Sequence, residues 1–170
     1  METIDANGLT PLCKASLGGL EDMVEFLLSS KAHVESKSAK VSYTPLMCAC
    51  RKGNEKIFDV LVKKKASVHT KGKGGVSPLL LACLNGNTNI VRKILAVQGV
   101  DLNTKYEKSG DTPMIIASNR GNAEIVEMLI DTGKVDIDAC NAMGWTPVLA
   151  ASDGEKKKGR GDLFNLICFL

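Results

Sequence analysis

A short phrase made of a hydroxyl residue, proline and an apolar residue recurs five times. It reads Thr10-Pro11-Leu12, Thr44-Pro45-Leu46, Ser77-Pro78-Leu79, Thr112-Pro113-Met114 and Thr146-Pro147-Val148. The interval from one proline to the next stays nearly constant along the chain. So regular a period prescribes a stack of like units, each burying its apolar face on its neighbours, rather than one closed core. An alanine follows each phrase in the same register (Ala15, Ala49, Ala82, Ala117 and Ala151), and in the first four units a glycine comes four residues later (Gly19, Gly53, Gly86 and Gly121).

The phrase is a helix start. A Thr or Ser hydroxyl accepts a hydrogen bond from an orphan backbone N–H of the first turn, and proline at the first helical position gives up no needed donor. The alanine admits close helix packing, and the glycine predicts a turn. Beyond it a second apolar helix is expected, with Met23, Val24, Phe26 and Leu27 in unit one, Ile57, Phe58, Val60 and Leu61 in unit two, and Ile90, Val91, Ile94 and Leu95 in unit three. Unit four supplies Ile125, Val126, Met128 and Leu129. A connector with strand-like alternation follows, as at residues 135–138, and then a polar tip, as at residues 71–75.

In these residues the sequence resembles the ankyrin repeat family. The resemblance runs from about Asp5 to the C-terminus. It implies an all-α repeat solenoid, a curved stack of helix–turn–helix units with a β-hairpin projecting from each. The expected units are 5–39, 40–72, 73–107, 108–141 and 142–170, in a single domain.

Several positions depart from the pattern. Lys14 stands where the family prefers a buried leucine, which suits a polar, solvent-facing first unit. Unit three carries two additional residues, near residues 97–99 and in the tip at 105–110. In unit five the stretch from Thr146 to the expected second helix at Leu163 is four residues longer than its counterpart in the other units. The excess falls in residues 155–161, read as a longer solvated turn, with a basic import signal as the alternative. The chain then stops in an apolar stretch, residues 163–170, which predicts either further repeats or self-association through that helix.

The resemblance also implies where a partner sits: on the tips and on the exposed face of each first helix, which line a concave groove. Carried over, the groove positions are Lys40, Tyr43, Arg51 and Lys52 in unit two, and Lys73, Leu84 and Asn85 in unit three. Unit four contributes Lys108, Asp111, Asn119 and Arg120, and unit five Met143 and Trp145. Val41, Val76, Asn7, Leu9, Leu17 and Asp153 belong to the same set. Trp, Tyr and Arg are the usual anchors of protein interfaces, although Trp145 could equally pack on the neighbouring tip. The net charge of +3 is uneven: residues 40–76 hold nine basic and two acidic residues, a local +7. Lysines 63–65 complement a helix C-terminus; Lys40, Arg51, Lys52 and Lys73 remain for the groove. The expected partner is a protein with an acidic segment, steered by charge, and the expected role is that of an adaptor or scaffold.

Other functions fit less well. His33 and His69 occupy equivalent connector positions rather than a catalytic set, so no enzyme, cofactor or metal is expected. The run from Gly72 to Ser77 resembles a phosphate loop but lacks the Gly-Lys-Ser/Thr ending. A nucleic-acid-associated protein using the basic patch is the alternative, weakened by an aromatic content of only 4%, too low for a base-stacking platform. The six cysteines show no paired CxxC spacing and read as small buried hydrophobes. With neither a signal peptide nor an apolar run of membrane length, a cytoplasmic or nuclear setting is expected. Leu95 with Asp101, Leu102 and Asn103 also resembles the pattern that asparaginyl hydroxylases accept in ankyrin repeats.

Overall fold

The computed structural model describes residues 4–158, with side chains through Asp153. It contains α1 (Pro11–Gly18), α2 (Glu21–Ser29), α3 (Pro45–Lys52), α4 (Glu55–Lys63), α5 (Pro78–Asn85), α6 (Thr88–Leu95), α7 (Pro113–Arg120), α8 (Ala123–Asp131) and α9 (Pro147–Lys158), plus one 3-10 turn at Lys73–Gly75. Every first helix begins as its phrase predicts. The hydroxyls of Thr10, Thr44, Ser77 and Thr112 accept from the backbone N–H three residues on, at 3.2–3.3 Å, and Thr146 from Leu149 at 3.4 Å. The helices α1, α3, α5 and α7 end on the four turn glycines, all in the left-handed region at positive φ. That conformation costs other residues a Cβ clash.

The second helices start differently. Asn54, Asn87 and Asn122 stand at their N-caps without capping them. Their amides reach back to the preceding unit instead: Asn54 Nδ2 donates to the Ser16 carbonyl at 2.7 Å, Asn87 to that of Cys50, and Asn122 to that of Cys83 at 3.4 Å. Each bond reaches a carbonyl in the last turn of a first helix; those of Ser16 and Cys50 are ones the helix leaves unpaired, and that of Cys83 also accepts from the Gly86 N–H at 3.2 Å. The sequence carries the signal as a repeated Gly-Asn pair, Gly53-Asn54, Gly86-Asn87 and Gly121-Asn122.

The first helices pack closely on one another in the order α1, α3, α5, α7, α9, whereas the second helices touch only lightly. The five phrase alanines make this possible, all between 0% and 3% exposed. Tight packing along one row and loose packing along the other bends the stack, with the first-helix row on the inside. The core runs between the rows through Leu46, Met47, Ile57, Leu61, Leu79, Ile90, Ile94, Met114, Ile125 and Leu129.

The connectors reverse as hairpins do, without a strand ladder among the described residues. A backbone bond closes the base of each tip: Asp5 N–H to Leu9 O, Ser38 to Tyr43, Gly72 to Val76, Tyr106 to Asp111 and Asn141 to Trp145. A second ties it to the tip before: Ala39 N–H to Gly8 O, Lys73 to Val41, Glu107 to Gly74 and Ala142 to Ser109. Turns likewise replace the strand-like alternation expected at 135–138.

Two further expectations need correction. Unit one is polar only on one side: Lys14 is exposed and paired with Asp5 at 3.2 Å, but α2 presents Leu20 (55% exposed), Met23 (47%) and Phe26 (64%) to solvent. In unit five α9 continues to Lys158, so residues 155–158 are helical rather than a turn. No glycine occupies the register where the other first helices stop, and Glu and Lys are good helix formers. The expected second helix from Leu163 lies outside the described residues.

Candidate protein-binding groove

The inner face of the stack carries a mostly apolar cavity of about 250 Å³, open along one side. Its floor is Leu80, Leu81 and Leu84 of α5 with Ile116 of α7, and its walls are Tyr43, Val76, Tyr106, Ser109 and Asp111 from three successive tips. Close backbone approach seats both tyrosine rings. A Cβ on Gly72 would lie 3.0 Å from Tyr43 Cδ1 and 2.9 Å from Met47 Cε, and one on Gly74, at φ +75°, would lie 3.3 Å from the Tyr106 ring. Only glycine leaves that room and takes that φ. Burial raises the Tyr43 phenol above its ordinary range; the Arg51 cation opposes this and the Tyr106 phenol adds to it.

Of the residues assigned to the groove from sequence, Tyr43, Val76, Leu84 and Asp111 line this cavity. Arg51 and Lys52 at the end of α3 and Lys73 on the next tip are exposed and form no salt bridge among the described residues. Lys40 is exposed too, its Nζ 3.4 Å from the Ala6 carbonyl. Other cations of this segment are committed elsewhere, Lys56 to Glu21 at 3.3 Å and Lys71 to Asp101 at 2.9 Å. Lysines 63–65 are exposed at the end of α4, in the second-helix row.

The unit-four and unit-five residues divide. The Asp111 carboxylate is already engaged, accepting from Ser109 Oγ and from Asn141 Nδ2 at 2.7 Å, and so locks two tips together. Lys108, Asn119 and Arg120 are exposed at the unit-four end, as is Asn85 on α5. Met143 stands at the last described tip, 79% exposed. Trp145 is half-buried, its backbone N–H donating to Asn141 Oδ1 at 3.0 Å.

Tyr106, Leu80, Ile116 and Ser109 line the cavity without having been singled out by sequence. Tyr106 closes its tip as Gly72 and Ser38 close theirs, but the longer tip of unit three shifts it out of the column counted back from the phrase. Asn103 does a connector job. Its Oδ1 accepts from the Asp136 N–H at 2.9 Å and its Nδ2 donates to the Lys134 carbonyl at 3.0 Å. Glu35 performs the same task two units earlier, accepting from the Ser67 N–H at 2.7 Å.

The thiols are quiet. Cys13, Cys48, Cys50 and Cys83 are buried, and Cys140 is exposed. The Cys13 thiol beside Cys48 and burial together push Cys48 up, burial raises Cys50, and burial takes Cys83 up to about 12. Thiols held neutral in this way are poor nucleophiles and poor metal ligands. Among the described residues no group of three or more His, Cys, Asp or Glu side chains could hold a metal, and no helix is long and apolar enough to cross a membrane.

Paired helices stacked at a fixed period, with an open inner face, define a helical-repeat solenoid. The family model for ankyrin repeats (3 copies) matches residues 1–72 and again 79–164, and the chain belongs to that family. Such domains mediate protein–protein interaction and are typically not enzymes. Among similar proteins, the ankyrin repeat and KH domain-containing protein mask of Drosophila melanogaster is 40% identical over 73 residues, covering 42% of this chain and 2% of that protein. The ankyrin repeat and KH domain-containing protein mask-1 of Caenorhabditis elegans is 31% identical over 89 residues, 52% of this chain and 3% of its own length. A putative ankyrin repeat protein of fowlpox virus (strain NVSL) is 31% identical over 105 residues, 61% of this chain and 30% of that protein. The chain therefore spans a small part of each of these relatives.

Proposed function

We propose that this chain is a protein-binding adaptor that takes an acidic segment of its partner along the inner groove. The observation that carries the reading is the concentration of exposed cations without salt bridges among the described residues, Arg51, Lys52 and Lys73, in the same units that wall an open apolar cavity with Tyr43 and Val76. Cations left without an internal partner favour an oppositely charged surface and speed encounter with it. A neighbouring apolar surface supplies the water-excluding area that charge alone lacks.

The experiment is affinity capture from a cell lysate with the wild-type chain and with the double variant Arg51→Glu/Lys52→Glu. Both positions are exposed, so melting should move by no more than about 0.5 kcal/mol in stability. Captured protein should fall about tenfold or more, a loss of about 1.4 kcal/mol per factor of ten. Undiminished capture by a variant that melts normally would remove the cations from the binding surface.

A further inference from the structure

The groove holds a finer pattern than an acidic preference, and its meaning rests on the adaptor role. Along the inner face, equivalent positions of successive units differ in chemistry. The position seven residues beyond the N-cap is Arg51 on α3, Leu84 on α5 and Asn119 on α7. The position just before the N-cap is Tyr43, then Val76, then Asp111. Moving by one unit therefore takes a ligand from a cationic step onto an apolar one.

We propose that the cavity between Tyr43 and Tyr106 receives one large apolar side chain of an extended partner segment whose acidic residues lie about three positions away, over Arg51 and Lys52. The spacing follows from geometry. Packed helices such as α3 and α5 sit about 8–10 Å apart, and an extended chain advances about 3.3 Å per residue. One repeat thus spans about three residues of ligand.

Size and lining fix the occupant. A cavity of about 150 Å³ already admits a benzene ring, so about 250 Å³ takes a Leu, Met or Phe side chain. Ligand sites for free small molecules run to about 300–1,000 Å³ and enclose most of the ligand; this one is smaller and open along the groove. Leu80 and Leu81 form a floor without polar side-chain atoms. The carboxylate on the wall, Asp111, is already held by Ser109 and Asn141, so it makes no demand for a cation in the pocket. The rim offers two phenols, those of Tyr43 and Tyr106. The segment is acidic on one side because that is where the uncompensated cations stand.

The test is selection of a random twelve-residue peptide library displayed on phage against the immobilised full chain, followed by fluorescence polarisation with the selected peptides. Selected sequences should carry an acidic pair and a Leu, Met or Phe about three residues apart. Replacing that apolar residue by Ser should weaken binding about tenfold or more on the wild-type chain. It should do markedly less on Leu84→Gln, because the two changes remove the same contact and such pairs are not additive. Leu84 is 38% exposed, so this variant keeps its fold, which a melting curve checks. Replacing the acidic pair should show the complementary pattern, losing its effect on Arg51→Glu/Lys52→Glu but not on Leu84→Gln.

Acidic peptides that tolerate both loss of the apolar residue and Leu84→Gln would overturn the anchor and leave the acidic groove standing. Peptides indifferent to both variants, or a library with no enriched binder, would sink the groove reading with it. An apolar residue fixed at one or six positions from the acidic pair would reject the register.

Discussion

Units one and three are built from the same plan and meet opposite fates on their outer helices. At three corresponding positions α2 and its cap carry Leu20, Met23 and Phe26, where α6 and its cap carry Asn87, Ile90 and Lys93. In unit three none of the three is left to solvent alone: Asn87 donates to the Cys50 carbonyl of unit two, Ile90 is fully buried, and Lys93 pairs with Asp59 of unit two at 2.7 Å. In unit one the same positions stand in solvent. The difference shows that a column in this fold is an interface by virtue of its neighbour. An apolar residue there records what could be covered, and burial needs a unit on the other side.

Substitutions in paired columns put the contrast at risk. Ile90→Ala should cost about 2–5 kcal/mol in urea unfolding, because the cavity it leaves is enclosed by two units. Met23→Ala, in the same column, should stay within about 0.5 kcal/mol. Equal losses would mean that the α2 face is covered in solution. Next in size, Asn87→Ala should cost about 1–3 kcal/mol by leaving the Cys50 carbonyl without its partner, while Leu20→Ala should be close to neutral by the same assay. The smallest effect belongs to charge. Asp59→Asn should cost about 0.2–1 kcal/mol, and the loss should shrink at high salt, where exposed pairs are screened. Were Asp59→Asn to match Ile90→Ala, the ion pair and not the apolar column would be holding the units together.

The groove shows the same dependence on neighbours. Arg51 and Lys52 are exposed at the end of α3. The cavity beside them was legible only in part. Tyr43, Val76, Leu84 and Asp111 fall in columns that counting from Thr-Pro recovers, but Tyr106 and Ile116 reach the same space from another tip and another helix. Counting within a unit cannot find a wall shared by three. Asp111 shows the reverse case: it is in the right column, yet its carboxylate is used internally by Ser109 and Asn141.

Residue order alone dictated the number and phase of the helix starts, the turn glycines and the small-residue seam. These are local: a hydroxyl caps the turn it opens, proline suits the first helical position, and glycine takes the left-handed exit. Stacking settled the rest. It made the connectors into turns tied tip to tip, set three asparagines to clamp carbonyls of the preceding unit, left α2 bare, and brought two tyrosines from different units to frame one cavity. Each of these depends on which surfaces come within hydrogen-bond or contact distance, and neighbours in space are set by the whole array rather than by any one repeat.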